Sequence, residues 1–267
     1  MITTYHRPQT LTEALTLLAG SNVYPLGGGT LLSRPQADPV EVVDLQALGL
    51  DSFNKKGNDL EIGATATLQQ LLENEYCPET LRTAIKLEAP INIRNSASIA
   101  GTLVSCDGRS PFATSLLALD AKLELKSINK EELANMEAES REPEHATRIL
   151  GLGEFLPVRS NHLPGKLVTS ITIPLNTKFA FEFVSRTPAD KPIICAAMTQ
   201  WTSGRTRLAL GGYGKSPLLA MDGTEAEGIE AVARNAYHEA NDDWASAEYR
   251  MDVAAVLAKR CLERILS

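Results

Sequence analysis

The sequence predicts an α+β fold in three parts, and three observations predict it. In residues 1–55, strand-like and helix-like runs alternate around a triple glycine, the pattern of a small βαβ-type unit. Residues 56–174 mix further strand and helix signals in a larger α+β unit, which with the first makes a two-part domain over 1–174. From residue 175 the order changes to consecutive strands followed by two helices, the segregation expected of a C-terminal domain of antiparallel strands and helices over 175–267.

The first unit reads as strand, helix, strand, glycine turn, strand. The helix covers Leu11 to Ala19, with Thr10 and Glu13 as a capping box and Gly20 as its stop. Val23-Tyr24-Pro25-Leu26 is a short strand running into the glycines, and Val40 to Leu45 is a β-branched strand. A turn at Lys55-Lys56-Gly57-Asn58 opens the second unit, where Leu60 to Ala64 alternates as a half-buried strand. Thr67 and Gln70 cap a helix to about Asn74, and Glu79 to Glu88 is another. Ile91 to Thr102 lacks a helical stripe and reads as loop with short strands. Ser110-Pro111 starts a helix through Leu119, Lys122 to Leu125 is a strand, and the charged run from Ser127 to about Arg148 is a solvated helix or loop. Val168 to Ile173 is a strand stopped by Pro174. Phe179 to Ser185, Ile193 to Trp201 and Arg205 to Leu210 follow as strands, the last two joined at Thr202-Ser203-Gly204. Helices over about Thr224–Tyr237 and Ala247–Leu266 close the chain, the latter with Tyr249, Val253, Leu257, Cys261 and Ile265 as its buried face.

Composition narrows the function. The 267 residues are 43% hydrophobic and 22% charged, with net charge −7 and no basic block. That balance argues against nucleic acid or an anionic membrane as partner. No apolar run is long enough to span a bilayer, and the N-terminus lacks signal-peptide features, so the expected location is cytoplasmic. Cys77, Cys106, Cys195 and Cys261 are scattered and read as buried, reduced thiols. The four histidines are equally dispersed, and no metal site is expected. No nucleophile–base pair is evident, so no residue is assigned as catalytic.

The chemistry-bearing stretch is Pro25-Leu26-Gly27-Gly28-Gly29-Thr30-Leu31-Leu32. Glycines allow φ > 0 and bring backbone N–H groups close to a ligand. N–H groups so arrayed suit a phosphate or pyrophosphate, whereas a bare triplet in isolation is more often a tight turn. A second loop stands out with it: Ile93-Arg94-Asn95-Ser96-Ala97-Ser98-Ile99-Ala100-Gly101-Thr102-Leu103, followed by Ser115-Leu116-Leu117-Ala118-Leu119-Asp120-Ala121.

The pairing resembles the FAD-binding medium subunit of the molybdenum hydroxylases, the flavoproteins of the xanthine dehydrogenase and carbon monoxide dehydrogenase type. Leu60-Glu61-Ile62-Gly63-Ala64, Ile171-Thr172-Ile173-Pro174, Phe183-Val184-Ser185-Arg186 and Tyr249-Arg250 add to the likeness in the right order. The resemblance implies FAD held between the two N-terminal units, with both loops on its pyrophosphate. Pro25, Leu26, Gly27, Gly28, Gly29, Thr30, Leu31 and Leu32 form one jaw on this reading. Ser98, Ile99, Ala100, Gly101 and Thr102 form the other, with Val168 beside them and Arg109 as a candidate phosphate partner; a surface ion pair with Asp107 is the competing role for Arg109. Bulky residues at Gly28 and Gly101 are expected to abolish cofactor retention and leave folding largely intact. The implied partners are an iron–sulfur small subunit and a molybdenum-cofactor large subunit, with NAD or a quinone as electron acceptor. Departures from the family pattern fall at Leu31, Ala100, Thr102, Pro111 and Glu182. They motivate a second reading, a flavin-free structural subunit of such a complex. A nucleotide-binding module without redox chemistry is a third, counted against by the lack of a Gly-Lys-Ser/Thr after the glycines.

Overall fold

A computed structural model describes residues 1–35, 38–128, 145–188, 190–224 and 226–267. Of the charged run from Ser127 to about Arg148, expected as helix or loop, the described ends 127–128 and 145–148 are strand, paired with each other in a sheet, and 129–144 lie outside the described residues. The N-terminal unit is a parallel sheet of β1 (Ile2–His6), β2 (Val23–Leu26) and β3 (Val40–Asp44), with β3 in the middle. Helix α1 (Leu11–Leu18) connects β1 to β2. Thr10 Oγ1 accepts the Glu13 N–H at 3.2 Å, as the capping signal requires. The Glu13 carboxylate reaches back to the Gln9 amide at 2.9 Å, one residue earlier than the reciprocal bond of a capping box. Ala14, Leu15 and Leu18 of α1 bury against Val43 and Leu45 and against Leu167 of the next unit, forming a small core of their own.

The second unit is a five-stranded antiparallel sheet in the order β4-β5-β8-β6-β7. Its strands are β4 (Phe53–Lys56), β5 (Asp59–Gly63), β6 (Lys122–Ile128), β7 (His145–Gly151) and β8 (Lys166–Pro174). Helices α2 (Leu68–Glu73), α3 (Glu79–Glu88) and α6 (Pro111–Ala118) cover it. The Thr67–Gln70 capping box on α2 is complete in both directions, and Ser110 caps α6 with Pro111 in its first turn. The intervening stretch departs from the sequence reading. Instead of loop and short strands, it holds helices α4 (Ile91–Arg94) and α5 (Ile99–Ser105). Both are too short to display a full apolar stripe. Burial of Ile99 and Leu103, four residues apart, outweighs the weak helix propensity of Ile and Thr there. Short helices α7 (Leu152–Phe155) and α8 (Arg159–His162) lead back into β8.

In the C-terminal part, β9 (Lys178–Val184), β10 (Ile194–Gln200), β11 (Thr206–Gly211) and β12 (Leu218–Gly223) form an antiparallel sheet in the order β12-β11-β10-β9. The expected hairpin turn is present, with Gly204 at φ 86°. Both faces of β10 are buried. Cys195 and Ala197 point into the core of the second unit, while Ile194, Ala196 and Met198 point to helices α9 (Ile229–Asn235) and α10 (Ala247–Leu266). A strand buried on both sides reads as a continuous apolar run, as this one does. The C-terminal sheet therefore shares a core with the second unit.

The buried face of α10 is rotated from the expected one: Arg250, Ala254, Leu257, Cys261 and Ile265 are covered, and Tyr249 is exposed. Arg250 takes the inward position because its guanidinium has partners there. It donates to the carbonyls of Ala240 (2.6 Å), Ala245 (2.8 Å) and Gly212 (3.4 Å), and pairs with Asp242 at 2.7 Å. A second ionic cluster ties the end of α6 to the sheet. Asp120 accepts from Arg207 and Arg205, and Arg205 also pairs with Asp222 at 2.7 Å. All four cysteines are free and buried.

Candidate cofactor site

The two loops singled out in the sequence come together. A cavity of about 770 Å³ lies between the N-terminal unit and the second unit, within the range of about 300–1,000 Å³ usual for small-molecule sites. Pro25, Gly27, Gly28, Gly29, Thr30, Leu31 and Leu32 line it on one side, and Ser98, Ala100, Gly101 and Val168 on others. Leu26, Ile99 and Thr102 are not in the lining. Leu26 is held in the sheet, accepting the Leu45 N–H at 3.1 Å. Ile99 is fully buried in the core, and the Thr102 hydroxyl turns back to the Ser98 carbonyl at 2.8 Å.

Each glycine of the turn has its own reason. A Cβ on Gly27 would lie 2.7 Å from Ser98 Oγ, and one on Gly28 would lie 1.5 Å from the Ser96 carbonyl oxygen. Gly29 takes φ +68°, the left-handed conformation. Two of the three glycines thus permit close packing of one loop on the other, and the third reverses the chain into the turn after it.

The jaws differ in what they offer a ligand. The amides of Gly27, Gly28, Gly29 and Thr30 donate to no described residue. On the other side the amides are already used. Ile99 N–H donates to Ala66 O at 2.8 Å, Ala100 N–H to Ala64 O at 3.2 Å, Gly101 N–H to Ser98 Oγ at 3.2 Å and Thr102 N–H to Ser98 O at 2.9 Å. Reading the second loop as a helix start rather than a loop changes its chemistry: its first amides dock α5 onto the strand edge and cap it. What remains on that side is the Ser98 hydroxyl, whose oxygen accepts from Gly101 and whose proton is donated to no described residue.

Arg109 lies elsewhere. Its Nε donates to Pro192 O at 3.2 Å and its Nη2 to Lys191 O at 2.9 Å, and its guanidinium stacks 3.9 Å from the Trp244 ring. The expected pair with Asp107 is replaced by a bond from the Arg109 amide to Asp107 Oδ1 at 2.9 Å. The neighbouring Gly108 fixes this orientation, since it exchanges backbone bonds with Gly214 (2.9 Å) and Gly212 (2.6 Å) and turns the segment toward the C-terminal sheet. Glu182 is likewise away from the cavity, paired with Arg264 at 2.6 Å.

Other lining residues escaped the sequence reading, Tyr24 and Lys166 among them. Tyr24 lines the cavity, and Lys166 is the single charged side chain among the described lining residues. Tyr24 lies three residues before Gly27 in the strand that runs into the turn, whereas Lys166 is far from the glycines in sequence and only the fold brings it to the cavity they line.

Comparison with known proteins gives one consistent result. The family described as FAD binding domain in molybdopterin dehydrogenase matches residues 1–176. The carbon monoxide dehydrogenase medium chain of Afipia carboxidovorans is 26% identical, covering 97% of this chain and 95% of its own. The glyceraldehyde dehydrogenase medium chain of Sulfolobus acidocaldarius is 24% identical over 98% of this chain and 97% of its own. Among solved structures, the reconstituted CO dehydrogenase from Oligotropha carboxidovorans superposes with a TM-score of 0.78 at 26% identity, covering 98% of this chain and 96% of that one.

Proposed function

The chain belongs to the family of FAD binding domains of the molybdopterin dehydrogenases, and from that premise we propose that it is the electron-transfer flavoprotein subunit of a multi-subunit molybdenum hydroxylase. The observation that carries the reading is the open first jaw. Four consecutive residues, Gly27 to Thr30, line a cavity of cofactor size, and their amides donate to no described residue. Unpaired amides at a close-packed glycine turn suit the oxygens of a diphosphate, and Ser98 adds a hydroxyl from across the cleft. The flavin-free reading would be favoured by a closed turn or by amides already bonded; the first jaw has neither feature.

FAD, when bound, supplies the electron-accepting and electron-donating chemistry, which no side chain of the described residues carries. The chain's own part is to hold and orient. Gly27 to Thr30 would hold the diphosphate, Ser98 and Ala100 would wall it, and Val168 would pack against its apolar surface. Electrons arrive, on this reading, from the iron–sulfur clusters of a small partner chain served by a molybdenum-bearing large chain, and leave to an acceptor such as NAD or a quinone. The named relatives are medium chains, a term that implies companion chains in their complexes.

The test is purification of the chain from its native source under conditions that keep complexes intact, with metal and flavin analysis of the assembly. Flavin, iron and molybdenum eluting together with the chain support the proposal. A homogeneous chain that elutes alone, with no iron or molybdenum under conditions that preserve known molybdenum hydroxylases, would refute the partner assignment.

A further inference from the structure

We propose that Lys166 supplies the positive charge that holds the cofactor's diphosphate; the inference rests on FAD being the ligand of this cavity. A diphosphate brings its negative charge into a cleft walled by leucine, valine, proline and glycine. A buried anion without a countercharge is costly, and backbone amides carry only partial charges. Among the described residues that line the cavity none is acidic and Lys166 alone is basic. Its ammonium makes no ion pair and no hydrogen bond with any described residue. A lysine with a structural role on a protein surface commonly has a carboxylate beside it, and this chain, at net charge −7, has many to offer. Among the described residues Lys166 is paired with none, and it is half-buried on the cavity wall.

The backbone places it within reach of the jaws. Lys166 begins β8, the strand that continues through Val168 to Thr169. Thr169 O accepts the Ala64 N–H at 3.0 Å, and Ala64 O accepts the Ala100 N–H at 3.2 Å. Those two bonds join β8 through Ala64 to the first turn of α5, which forms the second jaw. Three residues of strand, roughly 10 Å, separate Lys166 from that junction. The flexible four-carbon stem of lysine covers much of this distance, and an ammonium acts on an anion beyond direct contact where the walls are apolar. The ladder with β6 skips Thr169, with Glu124 opposite Ser170 and Leu125 opposite Val168. Such a bulge re-aims the flanking side chains, and here Val168 and Lys166 both face the cavity.

With the second-jaw amides consumed by internal bonds, the charge on Lys166 does the work that extra donors would otherwise do. Riboflavin, which has no phosphate, should be indifferent to this charge, and FAD should not.

The test is titration of the flavin-stripped chain with FAD and with riboflavin, followed by flavin fluorescence, at about 20 mM and about 500 mM salt. These bracket weak and strong screening. Lys166→Gln is expected to weaken FAD binding roughly tenfold at low salt and less at high salt, as for a charge-assisted bond. Lys166→Arg should stay within about threefold of the parent chain. Riboflavin affinity should be the same for all three proteins. FAD affinity and salt dependence unchanged in Lys166→Gln would overturn the inference while leaving the FAD reading intact. If the unmodified chain fails to bind FAD, the FAD reading itself falls. Should Lys166→Gln not fold, the parent chain still decides: FAD affinity no more salt-dependent than riboflavin affinity contradicts a countercharge.

Discussion

The Ser96 carbonyl oxygen lies 1.5 Å from where a Cβ on Gly28 would sit. No rotamer relieves that contact, because both partners are backbone. Gly28→Ala therefore forces the first jaw off the second and is expected to cost about 1–3 kcal/mol, as overpacking does, with loss of flavin. Gly101→Ala differs: its Cβ meets the Ser98 hydroxyl, a small side chain able to turn. Alanine is also the better helix former by about 1 kcal/mol. Paired thermal melts and flavin contents check this. The sequence expectation that both positions affect only the cofactor is corrected for Gly28, whose glycine is needed to pack the loops even when the cleft is empty.

Gly29→Ala separates conformation from contact. At φ +68° an alanine is strained by roughly 1–2 kcal/mol, while its Cβ meets only Leu26 Cδ1, at 3.4 Å. A small loss of stability by urea unfolding, with a larger loss of FAD affinity, is expected because the strain falls on the amides that line the cavity.

Arg250 is fully buried on three carbonyls and one carboxylate. Arg250→Ala takes the guanidinium from the Ala240 and Gly212 carbonyls, while Asp242 Oδ1 keeps the Trp244 and Ala245 amides and Ala245 O keeps the Asp242 amide. The expected cost is about 1–3 kcal/mol per unpaired carbonyl. Chemical denaturation should register the loss. None of the cavity's described lining residues lies beyond residue 168, so FAD bound by the surviving folded fraction should keep its affinity.

Acid should weaken the Arg205–Asp222 pair, which holds the turn between β10 and β11 against β12. The hydrogen bond from Arg205 holds the Asp222 carboxyl below its usual range. The unfolded chain then binds more protons than the folded one between the two values, so stability rises with pH there. The contribution is fully present above the ordinary aspartate range and disappears as pH falls through the lowered value. Asp222→Asn should flatten that part of the urea-midpoint profile and leave the profile above pH 6 parallel to the parent's.

Thiol reactivity reports the cores. Burial pushes Cys106 up to about 11 and Cys77 and Cys195 up to about 12, and raises Cys261 as well. At pH 8 the folded chain is expected to give no rapid reaction with a disulfide reagent, and all four thiols should react once urea unfolds it.

Much of this was legible in the residues, for physical reasons that differ by element. Thr67–Gln70 and Ser110–Pro111 announce helix starts because capping is local chemistry. The run Ile194 to Met198 announces a strand because continuous burial leaves a continuous apolar run. The α4–α5 region was misread because helices of this length are held by neighbours: Ala64 and Ala66 take the first amides of α5, a contact no periodicity reveals. Arg109 was drawn to the phosphate by its chemistry and is placed elsewhere by the Gly108–Gly212 junction. Lys166 was missed because its place on the cavity wall is a property of β8 in three dimensions, while Tyr24, three residues before Gly27, read only as part of a strand.

The central claim is that the Gly27–Thr30 turn holds FAD. Its most direct test is the flavin content of the purified chain, completed by titration of stripped protein with FAD. The account predicts one FAD per chain, bound stoichiometrically, and a marked loss on Gly28→Ala. A colourless protein that takes up no added FAD would contradict it.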